Sequence, residues 1–380
     1  MRSNKTHIAC SLATIGLALA AALAIAPPRA LDAGPAVSRR IDVESIRESW
    51  RVLDPITAGN LTIYPVVSNL KADSFEFLTL DDGVASGEVR IAERGALENG
   101  MIRRRPTRRW PPVETDVVPS EYQGASVNEL VLVNGSSRPL ILLAGEVVSG
   151  GKQNRIIGTD LIVPPKSDPV PLTVFCVEHG RWTSGATGFS AAKAMAQPGI
   201  RAEAEFSKNQ SGVWARVEST GQAAGVASPT QSYMDIVASP KTARAMEAVA
   251  IPIERELEQE LHRAVGGMGA VGVVVAIHGQ LVWSDVFPSA ELFRKYWPKL
   301  LRSYTVEAQN QAIERKSPPS VKEAEAFLEA MRGHVTVESE PGVYRRTKIS
   351  GSGFQIEALE AFDGKADSGL LIHYNKMARD

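Results

Sequence analysis

Cysteine is nearly absent from this sequence, and its scarcity limits the chemistry that the protein can perform. The 380 residues include only Cys10 and Cys176. Cys10 lies in an apolar N-terminal segment that we expect to be cleaved, so one thiol remains and no internal disulfide forms. No Cys-x-x-Cys or His-x-x-x-His spacing occurs, and the six histidines are scattered. The sequence therefore predicts no metal site and no cofactor, although a dispersed site of His179, Glu178 and a distant ligand stays open.

An excess of charge of one sign is also lacking. Lys and Arg together number 42, Asp and Glu number 43, and the formal net charge is −1. Nucleic-acid-binding proteins usually carry a basic excess, so this composition argues against a nucleic-acid partner. The composition does not indicate an oligomeric state.

The N-terminus has the layout of a secretory signal peptide. Arg2 and Lys5 precede a run of apolar and small residues that ends near Ala26. We interpret residues 1–33 as a signal peptide and linker, and we expect a secreted or periplasmic protein with no integral membrane span after cleavage. The remaining residues, 50–380, are enough for a single large domain.

Alternation of apolar runs and helical patterns over residues 50–380 predicts an α+β domain with a mixed, largely antiparallel sheet. We expect residues 130–177 to supply the central strands, and helices from the C-terminal half to pack on one face. An Ala-, Gln- and Ser-rich stretch around residues 185–265 predicts a flexible excursion that contains helices.

Two turn signals predict β-hairpins. Asn134-Gly135 stands between two apolar runs, and His278-Gly279 stands between two others. Tight hairpin turns need residues that adopt a positive φ, which Asn and Gly do readily.

Four signals predict helix starts. Ser239 precedes a proline, and Pro252 predicts the start of a second, separate helix. Ser289 predicts the cap of a later helix. Ser320 with Glu323 forms a capping-box pattern for a further one.

The segment 140–182 combines apolar, strand-like runs with an unusual number of charged and polar side chains. A charge at the end of a buried strand is costly unless it is paired or reaches solvent, so such positions are candidates for a functional site. We predict a pocket here that binds a small anionic ligand. The candidate ligand-binding residues are Glu146, Gly151, Lys152, Gln153, Arg155 and Trp182.

Glu146 directly follows an apolar run, and two interpretations of its carboxylate stay open. It forms a salt bridge with Lys152 or Arg155, or it is a site residue. The sequence around Lys152 approaches a phosphate-binding loop, but Gln153 replaces the Ser or Thr that would hold magnesium, and a strand-like run follows. A nucleoside triphosphatase is therefore excluded.

Cys176, Glu178 and His179 are the candidate catalytic residues, because a thiol beside a carboxylate and an imidazole can form a nucleophilic site. In a strand, Cys176 and Glu178 share a face and His179 points to the other, so a Cys-His pair requires a bend at Glu178. A cysteine within an apolar run is also typical of a core, and a surface position stays open for Glu178 and His179.

Four further motifs are residues 145–155 (GEVVSGGKQNR), 174–182 (VFCVEHGRW), 276–279 (AIHG) and 292–301 (LFRKYWPKLL). Together they resemble a known family, the uncharacterised domain associated with ADP-ribosylglycohydrolases and rhodanese-type phosphatases. The resemblance extends from about Asn60 to the end of the chain. It implies an α+β domain without an established activity, and the associated proteins point to nucleotide or ADP-ribose chemistry. It draws attention to the same candidate residues.

Three hypotheses for function follow. The first is a secreted or periplasmic domain that binds a small anionic ligand, nucleotide-like or ADP-ribose-like, in a pocket formed by segment 140–182. The second is a hydrolase in the same pocket, with His179 as general base, Glu178 orienting it and Cys176 as the candidate nucleophile. The third is a protein-interaction domain without a small-molecule site.

Overall fold

The structure, a computed structural model, describes residues 49–69, 76–93, 129–181, 188–264, 269–309, 317–362 and 369–379. The N-terminal leader and Trp182 lie outside the described residues. In chain order the strands are β1 (Trp50–Val52), β2 (Ile56–Ala58), β3 (Leu61–Ser68), β4 (Leu78–Thr79), β5 (Val89–Glu93), β6 (Glu129–Asn134), β7 (Leu140–Leu142), β8 (Glu146–Gly150), β9 (Arg155–Ile157), β10 (Leu161–Val163), β11 (Val170–Cys176), β12 (Gly188–Met195), β13 (Ala270–Ile277), β14 (Gln280–Val286), β15 (Gly333–Glu340), β16 (Tyr344–Gly351), β17 (Phe354–Ala361) and β18 (Leu370–Ala378).

The described helices lie mainly in the second half of the chain. They are α1 (Leu80–Ala85), α2 (Pro198–Glu205), α3 (Gln210–Ala224), α4 (Tyr233–Ala238), α5 (Pro240–Ala264), α6 (Ala290–Gln309) and α7 (Val321–Glu329). No helix within the described part of the chain has the length and apolar character needed to cross a membrane.

The strands form three β-structures. A nine-stranded antiparallel sheet has the order β1-β3-β13-β14-β18-β17-β16-β15, with β2 beside β3. A closed barrel has the order β11-β6-β5-β12-β8-β9, and a small sheet has the order β10-β7-β4. Among the described strands, only the pairing of β4 with β7 is parallel, so the predicted α+β class with mixed, largely antiparallel sheets is confirmed.

The prediction that residues 130–177 supply the central strands of one sheet is wrong. These residues build most of the barrel and the small sheet, whereas the centre of the large sheet comes from β13, β14 and β18. The hairpin predicted at Asn134-Gly135 is also wrong, because β6 pairs with β5 and β11, and β7 pairs with β10 and β4. The apolar runs have strand character, but the turn carries the chain from the barrel to the small sheet.

The hairpin predicted at His278-Gly279 is confirmed. Strands β13 and β14 pair in an antiparallel register, and the two turn residues have φ of 52° and 75°. Both values lie in the left-handed region that tight hairpin turns require. Every residue of β13 is buried, as expected for a central strand.

Most helix-start signals are confirmed. Ser289 accepts a hydrogen bond from the Leu292 amide, and Ser320 forms a complete capping box with Glu323. The prediction that Pro252 begins a separate helix is wrong, because α5 continues through it. The missing amide of a proline removes one helical hydrogen bond, and packing of the surrounding helix outweighs that loss here.

The helices cover the large sheet from both sides, so the prediction that helices from the C-terminal half pack on one face is wrong. Helix α6 buries Tyr296 and Leu300 against the face of the sheet that carries Val273 and Val275. Helix α7 packs on the opposite face, beside Val274. Helices α2, α3 and α4 pack against the barrel instead. The predicted helices around residues 185–265 are therefore present, and their flexibility stays a prediction.

Candidate functional site

Three buried carboxyl groups meet where the small sheet, helix α2 and the large sheet come together. Asp160 lies just before β10, Glu205 is the last residue of α2, and Glu357 lies in β17. One ligand oxygen from each lies within 4.8 Å of the others, and all three residues are buried. We call these three residues the carboxylate centre. Acidic side chains are rarely buried together, so this centre is the first candidate for a functional site.

The register of the large sheet places further polar residues beside the carboxylate centre. Asp285, Asn375, Glu357 and Lys348 are direct neighbours on four consecutive strands, β14, β18, β17 and β16. Residues that are paired in this way share a face of the sheet. The result is a polar row across a layer that is otherwise packed with apolar side chains.

His373 bridges two carboxylates in this cluster. Its Nδ1 lies 2.5 Å from Asp160 Oδ2, and its Nε2 lies 3.1 Å from Asp285 Oδ1. Burial alone would lower the pKa of His373, but the two carboxylates outweigh that effect and raise the pKa to about 10. His373 is therefore charged at neutral pH and holds the pKa of Asp160 below its ordinary value, against the opposing effect of burial.

Arg201 neutralises the second of these carboxylates. Its two terminal nitrogens bind both oxygens of Asp285, at 3.0 and 2.9 Å, and both side chains are fully buried. The Tyr304 hydroxyl also donates to Asp285. Burial would raise the pKa of Asp285, but Arg201 and His373 together lower it. A two-pronged pair of this kind is the strongest geometry for a buried ion pair.

Glu205 is the member of the carboxylate centre with the fewest partners. The Asn375 amide donates to one of its oxygens at 2.5 Å, and among the described residues the other oxygen has no hydrogen-bond partner. Burial, followed by repulsion from Glu357 and Asp160, raises the pKa of Glu205 to about 8. Glu205 therefore retains its proton at neutral pH unless a positive charge takes the proton's place.

Cationic side chains lie close to the carboxylate centre. Lys348 Nζ lies 3.2 Å from Glu357 Oε2, and Arg346 donates to the carbonyl oxygen of Asp160 at 2.9 Å. Burial, followed by repulsion from Lys348, lowers the pKa of Lys208 to about 7. The Lys208 ammonium donates to the Gly158 carbonyl. These groups form a polar path toward the surface.

The carboxylate centre has the dimensions of a cation site. Hard divalent cations bind oxygen ligands at about 2.1–2.6 Å, so two ligands of one ion lie up to about 5 Å apart. The oxygens of Asp160, Glu205 and Glu357 satisfy that limit. The Asn375 Oδ1 atom is a further buried oxygen beside them, without a hydrogen-bond partner among the described residues.

Glu146 belongs to a second buried cluster. Its carboxylate lies 2.5 Å from Lys299 Nζ, and the same ammonium lies 2.8 Å from Asp81. The predicted salt bridge of Glu146 with Lys152 or Arg155 is therefore wrong, because the partner comes from α6, more than 150 residues later. Burial is the main cause of the raised pKa of Glu146, although Lys299 partly opposes it.

Lys299 also lines a cavity of about 380 Å³ between β12 and helices α4, α5 and α6. This volume falls in the range of small-molecule sites, about 300–1,000 Å³. Lys193 and Arg302, both exposed, lie at its margin. The apolar part of the lining includes Met195, Tyr233, Met234, Val237, Met246 and Ala250.

The sequence-predicted residues around Glu178 form a third group, which we call the rim. Glu178 is buried and accepts hydrogen bonds from the Asn154 amide, the Arg181 guanidinium and the Thr230 hydroxyl. The Gln153 side chain donates to the His179 carbonyl at 3.4 Å. The exposed His179 ring packs edge-on against an indole, that of Trp214. Glu178 thus links the loop that contains Asn154 to the segment around Thr230.

Gly151 and Lys152 complete the rim. Gly151 has a φ of +53°, and a Cβ atom there would clash with the Phe189 ring. The Lys152 amide donates to Glu93 at 3.3 Å. A strand begins at Arg155, so the loop does not lead into a helix, in agreement with the exclusion of a phosphate-binding loop.

Cys176 and Arg155 lie in the barrel wall next to the rim. They are direct neighbours in the pairing of β11 with β9. Both are buried, and burial raises the pKa of the Cys176 thiol. The Gln210 side chain binds the amide and the carbonyl of Cys176 at 2.8 and 2.9 Å. This environment is typical of a packed thiol, because nucleophilic cysteines have a lowered pKa and solvent access.

The predicted pocket residues therefore do not converge on one point. Glu146 begins β8 and Gly151 follows its end, which separates them by more than about 13 Å along the strand. Glu178 lies near the Gly151 end of β8. Cys176 pairs with Arg155, and Arg155 pairs with Val148 of β8, so the chain after Cys176 continues toward Gly151. The rim residues lie together, and Glu146 lies elsewhere.

The residues of the carboxylate centre were missed in the sequence. Their separations along the chain exceed 40 residues, and no local spacing links them. The available signal was weak: charged residues inside otherwise apolar runs, such as Asp285 in β14 and His373 in β18. Such charges are costly unless they are paired, so each indicates a partner without identifying it.

These features define an α+β domain in which a barrel and an antiparallel sheet enclose a buried ionic centre. The chain belongs to the family of the ARG and Rhodanese-Phosphatase-superfamily-associated Protein domain, whose model matches residues 49–375. Comparisons with curated proteins and with solved structures find no match. The predicted resemblance to this family is thereby confirmed.

Proposed function

We propose that this domain binds a hard divalent cation, Mg²⁺, Mn²⁺ or Ca²⁺, at the carboxylate centre. The observation that carries the proposal is the convergence of Asp160, Glu205 and Glu357, which come from three separate elements and lie buried within 4.8 Å. Asp160 and Glu357 have cationic neighbours, whereas Glu205 is bound only by an amide among the described residues. A cation beside Glu205 would balance its charge.

The identity of the ion follows from the ligand atoms. The centre offers carboxylate oxygens and an amide oxygen, and it contains no thiolate. Both nitrogens of the nearby His373 already contact carboxylates. Oxygen ligands favour Mg²⁺, Mn²⁺ and Ca²⁺ over Zn²⁺. Because the pKa of Glu205 is raised to about 8, ion binding at neutral pH displaces a proton from it.

Isothermal titration calorimetry tests this proposal. Mn²⁺, Mg²⁺ and Ca²⁺ are titrated into protein that has been treated with a chelator and dialysed, at pH 7 in two buffers with different ionisation heats. We expect one site and the release of up to about one proton per ion. Glu205→Gln and Glu357→Gln keep the side-chain shape, and we expect them to weaken binding by at least about tenfold.

Glu178→Gln is the matched control, because it makes the same change at a buried carboxylate of the rim. It should bind the ions as the unmodified protein does. Binding that is unaffected by Glu205→Gln and Glu357→Gln, or weakened equally by Glu178→Gln, contradicts the proposal. Circular dichroism of each variant establishes that it is folded.

A second candidate function is binding of a small amphipathic anion in the cavity beside Lys299. Its support is the cavity's volume of about 380 Å³, its apolar lining, and three cationic lining residues, Lys193, Lys299 and Arg302, against two acidic ones, Glu247 and Glu254. This candidate keeps the predicted anionic ligand but moves it away from the rim. Glu146 then acts indirectly, by holding Lys299 in the cavity wall.

The fluorescent anion 1-anilinonaphthalene-8-sulfonate is a suitable probe for this cavity. We expect saturable binding that Arg302→Glu weakens several-fold and that Ala250→Phe, which narrows the cavity, also weakens. Lys152→Glu makes the same charge reversal at the rim and should have little effect. Loss of binding in Lys152→Glu alone assigns the anion to the rim instead.

Secretion or a periplasmic location stays a proposal that rests on the leader-like N-terminus. It is compatible with a cation site, because extracellular calcium modules function with dissociation constants of about 10⁻⁴–10⁻³ M. Cell fractionation of the tagged full-length chain tests it. Recovery of the protein with its leader intact in the cytoplasmic fraction contradicts it.

A further inference from the structure

Strand β15 has an unpaired outer edge in the described part of the chain. It ends the nine-stranded sheet and pairs only with β16 there. Its residues from Gly333 to Ser339 are all exposed. An edge of eight residues presents a row of unpaired backbone amides and carbonyls, which natural proteins usually shorten, cover or protect with prolines or bulges. Within the described residues, no proline or bulge interrupts β15, since its register with β16 is continuous.

Two valines make this edge unusually apolar. Val335 and Val337 are exposed to 50% and 56%, and they alternate along the strand, so they lie on one face. Ile251 is the only other residue among the exposed large hydrophobic side chains of the described ranges. An unpaired edge that carries apolar side chains favours addition of another strand over solvation.

We propose that β15 is a dimer interface, at which it pairs antiparallel with β15 of a second copy of this chain, with the two-fold axis at Thr336. This register places Thr336 opposite itself and Val335 opposite Val337 of the second copy. It also places His334 opposite Glu338, and Arg332 opposite Glu340. Apolar groups meet apolar groups, and each acid meets a basic residue, so the edge is complementary to itself.

Neighbouring registers are less favourable. An axis at Val335 leaves Val337 opposite a glycine, and an axis at Val337 leaves Val335 opposite a serine. An axis at Glu338 places that carboxylate opposite its own copy, which is repulsive. Only the axis at Thr336 pairs both valines with valines.

The proposed interface is small, since a single pair of eight-residue strands buries less than a standard interface of about 1,600 Å². We therefore expect a reversible dimer that forms at micromolar concentrations. Its formation extends the polar row of the large sheet, because Thr336 is the β15 neighbour of Lys348, which in turn neighbours Glu357.

Sedimentation velocity over a range of protein concentrations measures the dimer. We expect the full chain to show a monomer–dimer equilibrium, and Val337→Lys to raise the dissociation constant by at least tenfold. Ile251→Lys makes the same change at the exposed isoleucine outside β15 and should not alter it. A monomer at all concentrations up to about 100 μM, or a dimer that Val337→Lys does not weaken, overturns the proposal.

Charge reversal and cross-linking test the register. Arg332→Glu should weaken the dimer, and adding Glu340→Arg should restore it. In a Cys10→Ser background, Thr336→Cys should form a disulfide-linked dimer under mild oxidation, because paired Cα atoms lie about 4.5–5.5 Å apart. Ser339→Cys is the control, since the two copies would lie about 20 Å apart. Preferential cross-linking through Ser339→Cys rejects the register.

Discussion

The carboxylate centre and the rim contain similar side chains but hold them differently. At the rim, the buried Glu178 carboxylate binds an Arg181 side chain that is 31% exposed, so solvent helps to stabilise the charge. Beside the carboxylate centre, the ion pair of Arg201 with Asp285 and the ring of His373 are 0% exposed. A buried network of this kind stabilises the fold only when every member is paired. The rim therefore tolerates loss of a charged partner, whereas the network of Arg201, Asp285 and His373 does not.

The largest effect is expected for Asp285→Ala. The substitution leaves the Arg201 guanidinium and the His373 imidazolium buried without their shared carboxylate. Removing one partner of a buried ion pair costs roughly 3–5 kcal/mol. Urea unfolding followed by tryptophan fluorescence measures the loss. A decrease in the free energy of unfolding below about 1 kcal/mol would place this pair with ordinary surface salt bridges.

The second prediction concerns how the stability of the Glu205→Gln variant, relative to the unmodified protein, depends on pH. Because the folded pKa of Glu205 is raised to about 8 from 4.5, its contribution to stability is present below pH 4.5 and is lost as pH rises through 8. Glutamine cannot ionise. In the presence of a chelator, the variant should match the unmodified protein near pH 5 and exceed it at pH 9 by roughly 3 kcal/mol.

Urea unfolding at several pH values provides this measurement. Glu178→Gln serves as the control, and its difference from the unmodified protein should not grow between pH 5 and pH 9 in the same way. A Glu205→Gln variant that is less stable than the unmodified protein at pH 9 contradicts the assignment of a protonated Glu205.

A smaller effect is expected at the rim for Glu178→Ala. The change removes one acceptor from the Asn154 amide, the Thr230 hydroxyl and the Arg181 guanidinium. Arg181 is partly exposed and remains solvated, so we expect a loss of about 1–2 kcal/mol. A loss as large as that of Asp285→Ala would remove the distinction between the two regions.

The last prediction concerns the reactivity of the Cys176 thiol, for which we expect very little reaction in the native protein. Cys176 is buried and its pKa is raised, so in a Cys10→Ser background the native protein should react with a disulfide reagent at least about 100-fold more slowly than the unfolded protein. Absorbance of the released thiolate follows the reaction. Rapid labelling of native protein would revive the hydrolase hypothesis, in which Cys176 is the nucleophile.

Local features were predictable from the sequence, because turns and caps depend on adjacent residues. The His278-Gly279 hairpin and the Ser320 capping box are examples. The rim was predictable for the same reason, since Gly151, Gln153 and Glu178 lie near strand ends within one short segment.

Long-range pairing was not predictable in this way. The strand runs on either side of Asn134-Gly135 looked like one hairpin, yet they join different sheets. Likewise, the partner of Glu146 lies on α6, and the partner of Asp160 lies on β18. Such pairs are fixed by the packing of whole elements, which no local spacing records.

X-ray diffraction from crystals soaked in Mn²⁺, with anomalous scattering recorded near the manganese edge, tests the cation site most directly. We predict one anomalous peak among Asp160, Glu205 and Glu357, with carboxylate oxygens about 2.1–2.3 Å from the ion. A peak beside Glu178 and His179, or crystals in which the centre stays without a peak at millimolar Mn²⁺, would contradict this account.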